Sequence, residues 1–340
     1  MSGEQVSNAL PTGSASLSGV GPFAVAGEWL KCALHTHSTV SDGTLPPDRL
    51  ALTYSEAGFD VLAITDHWRI ARADSTDRLL TIPAAELGFD LKYPNRERQS
   101  GEFLAYGIND LPEDPGGNRD NWMFNAEENW EARTFVDLAA GAKWAKDQGA
   151  LIYVAHPYWN GLSVEELRES EGYVGLEVFN GSAEIETGRG DSSVWWDALL
   201  ADGRTVFGIG TDDQHYPLFE LGVAWTMVRA ADRSVEAVLE ALRQGHSYFS
   251  HGPSIHHIQA NRDYVEVTCS PARSVVLHME QEYGVSVTIG RNGRRMGRIL
   301  ETDSAGLITR VSLDCDHEAA QYRRVSVIDE FGAKAWSNPF

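Results

Sequence analysis

The amino-acid sequence predicts an α/β fold in which a large domain of about seven strand–helix steps is followed by a small antiparallel β domain. Through residues 28–245, short apolar runs alternate with amphipathic stretches, which is the pattern of helices packed around a parallel sheet or barrel. Beyond residue 245 the polarity alternates within short runs, as in antiparallel strands. A chain of 340 residues with 42% hydrophobic content has room for these two units.

The large domain is predicted to contain strands at residues 30–34, 61–65, 81–85, 103–108, 151–155, 175–179 and 206–209. Pro46 and Pro47 open a helix that ends near Gly58, because proline is tolerated in the first turn and glycine ends a helix. Further helical patterns cover about residues 127–148 and 234–244.

Three other segments complete the expected domain organisation. Residues 1–27 are rich in Ser, Gly and Ala and have no signal-peptide pattern, so a flexible leader is expected. Residues 110–125, with "PEDPGGNRDN", are too long and unpatterned for an ordinary connection, which predicts a rim or lid loop. Residues 246–340, with "YVEVTC", "SVVLHM", "VSVTIG" and "YRRVSVID", predict a β-sandwich-like domain.

The composition restricts the partners and the compartment. With 49 acidic and 28 basic residues, the net charge of −21 would repel a nucleic acid backbone. Cys32, Cys269 and Cys315 are dispersed and odd in number, which favours neither a disulfide framework nor a paired-cysteine zinc site. No stretch is long enough to cross a membrane. We therefore expect a cytoplasmic protein that acts on a small molecule; the sequence does not indicate the oligomeric state.

Histidines and carboxylates follow the predicted strands at their carboxyl ends. These residues are His35, His37, Asp66, His67, Glu86, His156, Glu177, Asp213 and His215. In a parallel barrel all carboxyl ends face the same side, where active sites are built. The sequence therefore predicts that these side chains converge in one cleft.

The residue types in this set are those that bind divalent metal ions. Imidazole nitrogens and carboxylate oxygens are ligands for Zn²⁺, Mn²⁺ and Fe²⁺. The period of two along a strand places His35 and His37 on the same side, where both can chelate one ion. One such pair is weak evidence by itself, but the whole set indicates a metal centre.

The ordered motifs "LHTHSTVSDG", "LAITDHW", "AAELG", "VAHPYW", "LEVFNG" and "GIGTDDQH" resemble those of the polymerase-and-histidinol-phosphatase (PHP) family of metal-dependent hydrolases. The resemblance spans about residues 30–245. "SYFSHGP", "VTCSPA" and "AWSNPF" further resemble a branch with a C-terminal β domain, which includes carbaryl-hydrolase-like enzymes. The resemblance implies a distorted barrel of seven strand–helix units whose cleft holds two or three divalent ions, of Mn, Zn or Fe.

The resemblance also implies which residues bind each ion. The first ion would be held by His35, His37, Glu86 and Asp213, the second by Glu86 and His156, and the third by Asp42, His67 and His215. Asp213 is preferred to Asp212 because the family motif has one residue between aspartate and histidine.

Glu102 stands where the family usually has a further histidine at the second ion. If its carboxylate is a ligand, the harder oxygen donor favours Mn²⁺ or Fe²⁺ over Zn²⁺. If it is an exposed residue at a strand edge, the second ion is weak or absent.

The nucleophile is expected to be a metal-activated water, because the chain has no G-x-S-x-G motif and no reactive-cysteine signature. Asp66, Glu86 and His215 are the predicted catalytic residues. Asp66 would orient His67 or cap the following turn. Glu177 and Asn180 would orient a metal ligand or the substrate, with loop capping as the alternative for Asn180.

Substrate recognition leaves two reactions open. Arg69, Arg72 and Arg189 are candidates to pair with a phosphate, which favours a phosphoesterase. Trp159 and Trp122 are candidates for an apolar pocket, which would suit a carboxylester or carbamate hydrolase on the same metals. A binding or regulatory module without catalysis is a third possibility, against which the ligand set argues.

Overall fold

The structure, a computed structural model, describes residues 16–93, 100–114, 116–117, 133–280, 283–290, 296–315 and 320–340. Within these ranges the chain forms one large mixed sheet with covering helices and one smaller antiparallel sheet. The predicted combination of an α/β unit with an antiparallel β unit is therefore confirmed. No helix in the described ranges has both the length and the apolar character that a membrane crossing requires.

The strands are, in chain order, β1 (Ser18–Gly19), β2 (Glu28–Ala33), β3 (Val61–Ile64), β4 (Leu80–Asp90), β5 (Ser100–Tyr106), β6 (Thr134–Phe135), β7 (Leu151–Val154), β8 (Gly175–Asn180), β9 (Phe207–Thr211), β10 (Trp225–Ala230), β11 (Ser247–Ser250), β12 (Ile255–Ala260), β13 (Tyr264–Ala272), β14 (Ser274–His278), β15 (Gly284–Thr288), β16 (Gly297–Thr302), β17 (Ile308–Asp314), β18 (Arg324–Ile328) and β19 (Lys334–Ser337). The helices are α1 (Pro47–Glu56), α2 (Leu138–Asp147), α3 (Pro157–Asn160), α4 (Val164–Glu169), α5 (Gly181–Thr187), α6 (Ser193–Ala201), α7 (Pro217–Glu220) and α8 (Val235–Arg243).

The large sheet runs in the order β15-β14-β18-β19-β11-β10-β2-β3-β4-β5-β7-β8-β9, and β6 pairs with β4. Strands β2, β3 and β4 are parallel, and so are β7, β8 and β9. Strand β5 is antiparallel to both of its neighbours, β4 and β7. The expectation of parallel strands throughout the large domain is therefore wrong at β5, and also at β10, which is antiparallel to β2. Antiparallel neighbours need no crossover helix between them.

The reversed strand also changes how two site residues reach the cleft. Glu86 lies inside β4, which is longer than predicted, and Glu102 lies near the beginning of β5. In the β4–β5 ladder, Glu86 pairs with Leu104 and Gly88 pairs with Glu102. Because β5 runs backwards, its beginning lies at the edge where the parallel strands end. The site residues therefore lie at one edge of the sheet, although Glu86 and Glu102 do not follow the carboxyl end of a strand.

The large sheet curves back on itself, so that β9 lies beside β10 and β11. Gly210 N–H donates to Thr226 Oγ1 (3.1 Å), and Thr226 Oγ1 donates to Gly210 O (2.9 Å). Asn338 Oδ1 accepts from Gly208 N–H (2.6 Å), and Asn338 Nδ2 donates to Ser247 Oγ (2.9 Å). Side chains rather than a described backbone ladder therefore join β9 to this part of the sheet.

Apolar residues from the inner face of the curved sheet pack with α8. They include Leu30, Val61, Ile82, Leu104, Tyr153, Ile209, Val228, Val238 and Leu242, all buried. On the outer face, α2, α4 and α6 cover a second core that includes the buried Trp196. Alternate residues of one strand thus enter different cores, as the two-residue period requires.

The smaller sheet has the order β1-β12-β13-β17-β16. Its buried residues Val267 and Val311 share a core with Val275 and Val327, which lie on β14 and β18 of the large sheet. The C-terminal region therefore has two sheets around one core, and the large sheet continues through the boundary predicted at residues 245 and 246. That boundary stays a prediction.

Two other predicted segments differ from the structure. Within the predicted leader, β1 pairs with β12, and Phe23 packs 5.4 Å from the ring of Trp29, so this part is built into the fold. Within the helix predicted at 127–148, residues 134–135 form β6, and α2 begins only at Leu138. Residues 127–132 and most of the predicted rim loop lie outside the described residues.

We expect Asn338→Ala to lower the free energy of unfolding by about 2–4 kcal/mol, because it leaves Gly208 N–H and other buried backbone groups without a partner. The unfolding midpoint in urea, followed by circular dichroism, measures this loss. Asn109→Ala, at an exposed position, is the matched control. Equal midpoints for the two variants would contradict a role of Asn338 in joining β9 to β11.

Candidate metal centre

The structure brings together the nine side chains predicted to bind metal. Together with Glu177, they form overlapping groups in which one nitrogen or oxygen atom from each residue lies within 4.8 Å of the others. The groups are His37–Asp42–His67–His215, His35–His37–Asp213, His35–His156–Glu177 and His67–Glu86–Glu102. Such spacing is what ions bound at about 2.0–2.3 Å require of neighbouring donors.

Backbone pairing aligns the first and last motifs of the centre. Thr36 forms a parallel bridge with Gln214. His37 N–H donates to Gln214 O (2.8 Å), and Asp213 N–H donates to His35 O (3.0 Å). Residues separated by almost the length of the large domain are therefore fixed next to each other by main-chain hydrogen bonds.

Glu86 lies at the middle of the centre. Its Oε2 is 3.1 Å from His35 Nε2, 3.3 Å from His37 Nε2 and 3.4 Å from His67 Nδ1. Its Oε1 is 3.0 Å from His156 Nε2. A buried carboxylate between two groups of histidines is the arrangement that a bridging ligand needs.

Asp213 adds a second buried oxygen. Its Oδ1 lies 3.0 Å from His35 Nε2 and 3.1 Å from His37 Nε2. His37 Nε2 and Asp213 Oδ1 are nevertheless both buried without a hydrogen-bond partner among the described residues, because the short separation lacks hydrogen-bonding angles. Buried polar atoms without partners are costly, and a cation between them would remove that cost. The donor set therefore fits a divalent metal.

Backbone strain is concentrated in the same place. Within the described ranges, the non-glycine residues with positive φ are Trp68 (50°), His156 (26°) and Asp213 (53°). Two are predicted ligands, and Trp68 follows a third. Such conformations cost of order 1–3 kcal/mol each and persist only where the surroundings impose them. The fold thus holds these ligands against local preference.

Asp42 faces the remaining histidines at the outer side of the centre. Its Oδ1 is 3.2 Å from His37 Nδ1, and its Oδ2 is 3.5 Å from His67 Nε2 and 3.4 Å from His215 Nε2. The rings of His37 and His215 stack 4.1 Å apart. The three residues predicted to share the third ion therefore lie together.

Of the two alternatives for Glu102, the structure favours the ligand. Its Oε1 lies 4.0 Å from His67 Nδ1 and its Oε2 lies 4.0 Å from His156 Nε2, with only 14% of the side chain exposed. These separations allow one ion to lie between each pair of atoms.

The histidines and carboxylates of the centre shift one another's pKa values. Burial by itself would lower the pKa of His35, but the carboxylates of Asp213, Glu86 and Glu177 outweigh it and raise that pKa well above its usual value. The pKa values of His37, His67 and His156 are raised in the same way. Burial would raise the pKa of Glu86, but the surrounding histidines hold it well below its usual value. The ionised carboxylates are therefore stable only with positive charge next to them, either from protonated histidines or from metal ions.

Glu177 and Asn180 lie behind the ligands, which corrects their predicted contact with substrate. Both are fully buried. Glu177 accepts from His35 Nδ1 (2.9 Å), from His156 N–H (2.8 Å) and from Thr211 Oγ1. Asn180 Nδ2 donates to Glu177 and, at 3.0 Å, to Asp213 Oδ2. Their predicted alternative role, orienting metal ligands, is what the geometry supports.

Asn180 also has the predicted capping role. Its Oδ1 accepts from Ala183 N–H (2.8 Å) at the start of α5. One side chain therefore both begins a helix and holds a ligand carboxylate.

The described hydrogen bonds of the Asp66 carboxylate go to the loop after His37, whereas orienting His67 or capping the following turn stays a prediction. Its carboxylate accepts from Ser38 N–H (2.7 Å), from Ser38 Oγ (2.5 Å) and from Ser41 Oγ (2.6 Å). Ser41 Oγ in turn lies 2.9 Å from Asp42 Oδ1. Asp66 thus fixes the loop between His37 and Asp42.

Asp212, the aspartate that was not preferred as a ligand, is fully buried beside Asp213. It accepts from Tyr54 Oη (2.8 Å) and from Ala224 N–H (2.9 Å). Burial raises its pKa to about 6 despite these bonds.

A cleft of about 350 Å³ opens onto the centre. The three predicted phosphate-binding arginines do not line it, which corrects that prediction. Arg69 is exposed and its Nη1 donates to Trp68 O (2.9 Å). Arg72 lines a different depression, with Asp74 and Thr81, and Arg189 lies 5.8 Å from the ring centre of Tyr158. No other lysine or arginine of the described residues lines the cleft.

Trp159 was predicted as a pocket residue, whereas Glu220 was not predicted at all. Trp159 lines the cleft, whereas Trp122 lies outside the described residues. Glu220 is buried and accepts from His215 N–H (2.6 Å), Tyr216 N–H (2.6 Å) and Ser182 Oγ (3.1 Å). It positions His215, and its place five residues after that histidine gave no local signal.

Comparisons with known proteins find likeness among solved structures only. No family model and no curated protein matches the chain. The chain is similar to a two-domain protein from Bacteroides vulgatus described as containing a predicted PHP-like metal-dependent phosphoesterase, with 17% identity and a TM-score of 0.47 over 99% of this chain and 100% of that chain.

Two further structures are less similar. An amidohydrolase from Chromobacterium violaceum, with bound sulfate and no metal, has 16% identity and a TM-score of 0.40 over 56% of this chain and 89% of that chain. A lesion-specific endonuclease from Pyrococcus furiosus has 14% identity and a TM-score of 0.44 over 64% of this chain and 56% of that chain. The structural neighbours thus include a two-domain protein described as PHP-like. The carbaryl-hydrolase-like branch stays a prediction.

We expect metal binding to release protons and to weaken as the pH falls. His35, His37, His67 and His156 have raised pKa values, so without metal they keep protons above the usual histidine range. A metal ion must displace those protons, and acidification favours the competitor. Calorimetric titration of chelator-treated protein with Mn²⁺, in two buffers of different ionisation enthalpy, measures the protons released. An affinity that stays constant between about pH 6 and pH 9 would contradict this.

Proposed function

We propose that the chain is a PHP-type hydrolase, with the distorted barrel of that family, that uses two or three divalent ions to cleave an ester bond with water. The observation that supports this most is the position of Glu86, whose two carboxylate oxygens face four histidines from three other parts of the chain. Bound Mn²⁺, Zn²⁺ or Fe²⁺ would lower the pKa of a water molecule and stabilise negative charge on the substrate.

The role proposed for each residue follows from its position in the cleft. Glu86 would contribute to two ion sites. One would also use His35, His37 and Asp213, and the other would also use His156 and Glu102. The outer group, Asp42, His67 and His215, lies at the open side, where 22% of the His215 side chain and 40% of the Asp42 side chain are exposed. We assign to His215 a position next to the leaving oxygen, because its side chain lines the cleft and is partly exposed there.

A phosphoester is the leading substrate class, because closely spaced cation sites suit both the attacking and the leaving oxygen of an in-line displacement. A carboxylester or carbamate is the second candidate. It is favoured by one specific observation, namely that Arg69, Arg72 and Arg189 do not line the cleft. Without such a cation, a phosphate dianion receives no bidentate pairing from the described residues. We further propose that the enzyme acts in the cytoplasm on a small molecule.

We expect Glu86→Gln to lose bound metal and nearly all activity, because it removes the central negative charge while keeping the side-chain shape. Asp66→Asn should lose only about 10- to 100-fold, since it loosens the loop of Asp42 without removing a ligand. Elemental analysis and steady-state kinetics measure both. Glu166→Gln changes another buried glutamate, which accepts from Lys92 and Tyr93 N–H, and should retain both metal and activity. Wild-type metal content in Glu86→Gln would refute the site.

The two reactions are separated by a panel of phosphomonoesters, phosphodiesters, aryl acetates and aryl methylcarbamates, assayed with Mn²⁺ and with Zn²⁺. A phosphoesterase should turn over the phosphorus substrates, and Arg72→Ala should leave the kinetic constants unchanged because Arg72 lies outside the cleft. Turnover confined to acetates and carbamates would transfer the proposal to the second candidate. No turnover with either metal would favour a binding module.

A further inference from the structure

We propose that the substrates carry an ammonium group close to the scissile ester bond, held by Trp159, Tyr216 and Glu186. This inference rests on the proposed hydrolase function and narrows its substrate class. All three residues line the cleft that opens onto the metal centre. A cavity of 350 Å³ is about 7 Å across, so one small molecule can touch both the metal ligands and these side chains.

Two aromatic side chains stand next to metal ligands. Trp159 lies on α3, one turn after His156, and its ring meets the His156 ring edge-on at 5.1 Å and 73°. Tyr216 follows His215 directly, and 54% of it is exposed. Its position is fixed by the hydrogen bond from its backbone N–H to Glu220 (2.6 Å). Aromatic faces attract ammonium groups through the ring quadrupole, and quaternary ammonium ligands are recognised in this way.

Glu186 supplies the negative charge that such a subsite needs. It lies exposed on α5 and forms no hydrogen bond or ion pair with any described residue. Its neighbour Glu184 differs, because it accepts from Gly190 N–H (3.0 Å). The carboxylate of Glu186 is thus available to a ligand in the cleft.

The charge of the cleft points the same way. Asp42, Glu86, Glu102, Glu186 and Asp213 line it, and no lysine or arginine of the described chain does. The ions that the ligands would hold compensate the carboxylates at the centre, and Asp213 Oδ1, unpartnered and buried, is one of the atoms that they would satisfy. Glu186 forms no part of that donor set. A cationic group on the substrate would therefore gain attraction at the rim, whereas a second anionic group would be repelled.

The test compares isosteric pairs that differ only in charge. 4-Nitrophenyl phosphocholine and 4-nitrophenyl 3,3-dimethylbutyl phosphate have the same shape, as do acetylthiocholine and 3,3-dimethylbutyl thioacetate. With Mn²⁺-loaded protein, we expect kcat/KM to favour the cationic member by roughly tenfold. Glu186→Gln should remove most of that preference. Glu184→Gln, on the same helix, should keep the preference.

A binding measurement makes the inference independent of turnover. Choline and 3,3-dimethylbutan-1-ol, titrated calorimetrically into Mn²⁺-loaded protein, should differ roughly tenfold in Kd in favour of choline, and Glu186→Gln or Trp159→Ala should abolish the difference. Hydrolysis of both members of a pair at equal kcat/KM would overturn the ammonium subsite while the hydrolase function stands. Absence of all hydrolysis would overturn the function, and equal binding of the two alcohols would overturn the subsite.

Discussion

The buried charge of Glu86 is the constraint on which the rest of the centre depends. A carboxylate that is 1% exposed is unstable unless cations compensate it. The carboxylate of Asp213 lies next to the same Nε2 atoms of His35 and His37. Two neighbouring carboxylates need more compensating positive charge than one. The histidines of the loops after β2, β3, β7 and β9 supply the positive charge that these carboxylates require when they are protonated. Metal ions bound to the same histidines and carboxylates would supply it in their place.

A layer of carboxylates behind the ligands turns that demand into a fixed geometry. Asp66, Glu177 and Glu220 are buried, and each accepts hydrogen bonds from backbone N–H groups or hydroxyls of the loops that carry ligands. Groups that are saturated in this way have little capacity left for substrate. Their effect is to hold ring orientations and strained backbone angles, which is the usual role of partners behind a metal's ligands.

Much of the metal centre could be predicted from the sequence, because the patterns that indicate its ligands lie within a few neighbouring residues. The apolar run before His35 and the two-residue spacing to His37 are readable from a few neighbouring residues. The direction of β5 is not, since antiparallel pairing is decided by which strands lie alongside and not by the strand's own residues. The partners of Asp66 were missed for the same reason: they lie 25 and 28 positions away. Arg69 donates to the carbonyl of Trp68, whose positive φ has no sequence signature.

The C-terminal region is tied to the centre by the same curved sheet. Asn338 joins Gly208 of β9 to Ser247 of β11, and β9 leads through Thr211, a partner of Glu177, to Asp213. Arg324 is almost fully buried and pairs with Asp197 of α6 at 2.7 and 2.6 Å. Loss of Asp197 would leave the buried guanidinium of Arg324 without this partner, so the pair holds α6 against β18. The segment "AWSNPF" therefore supports the metal centre indirectly. It holds β9, which lacks a described backbone partner on one side, next to β11.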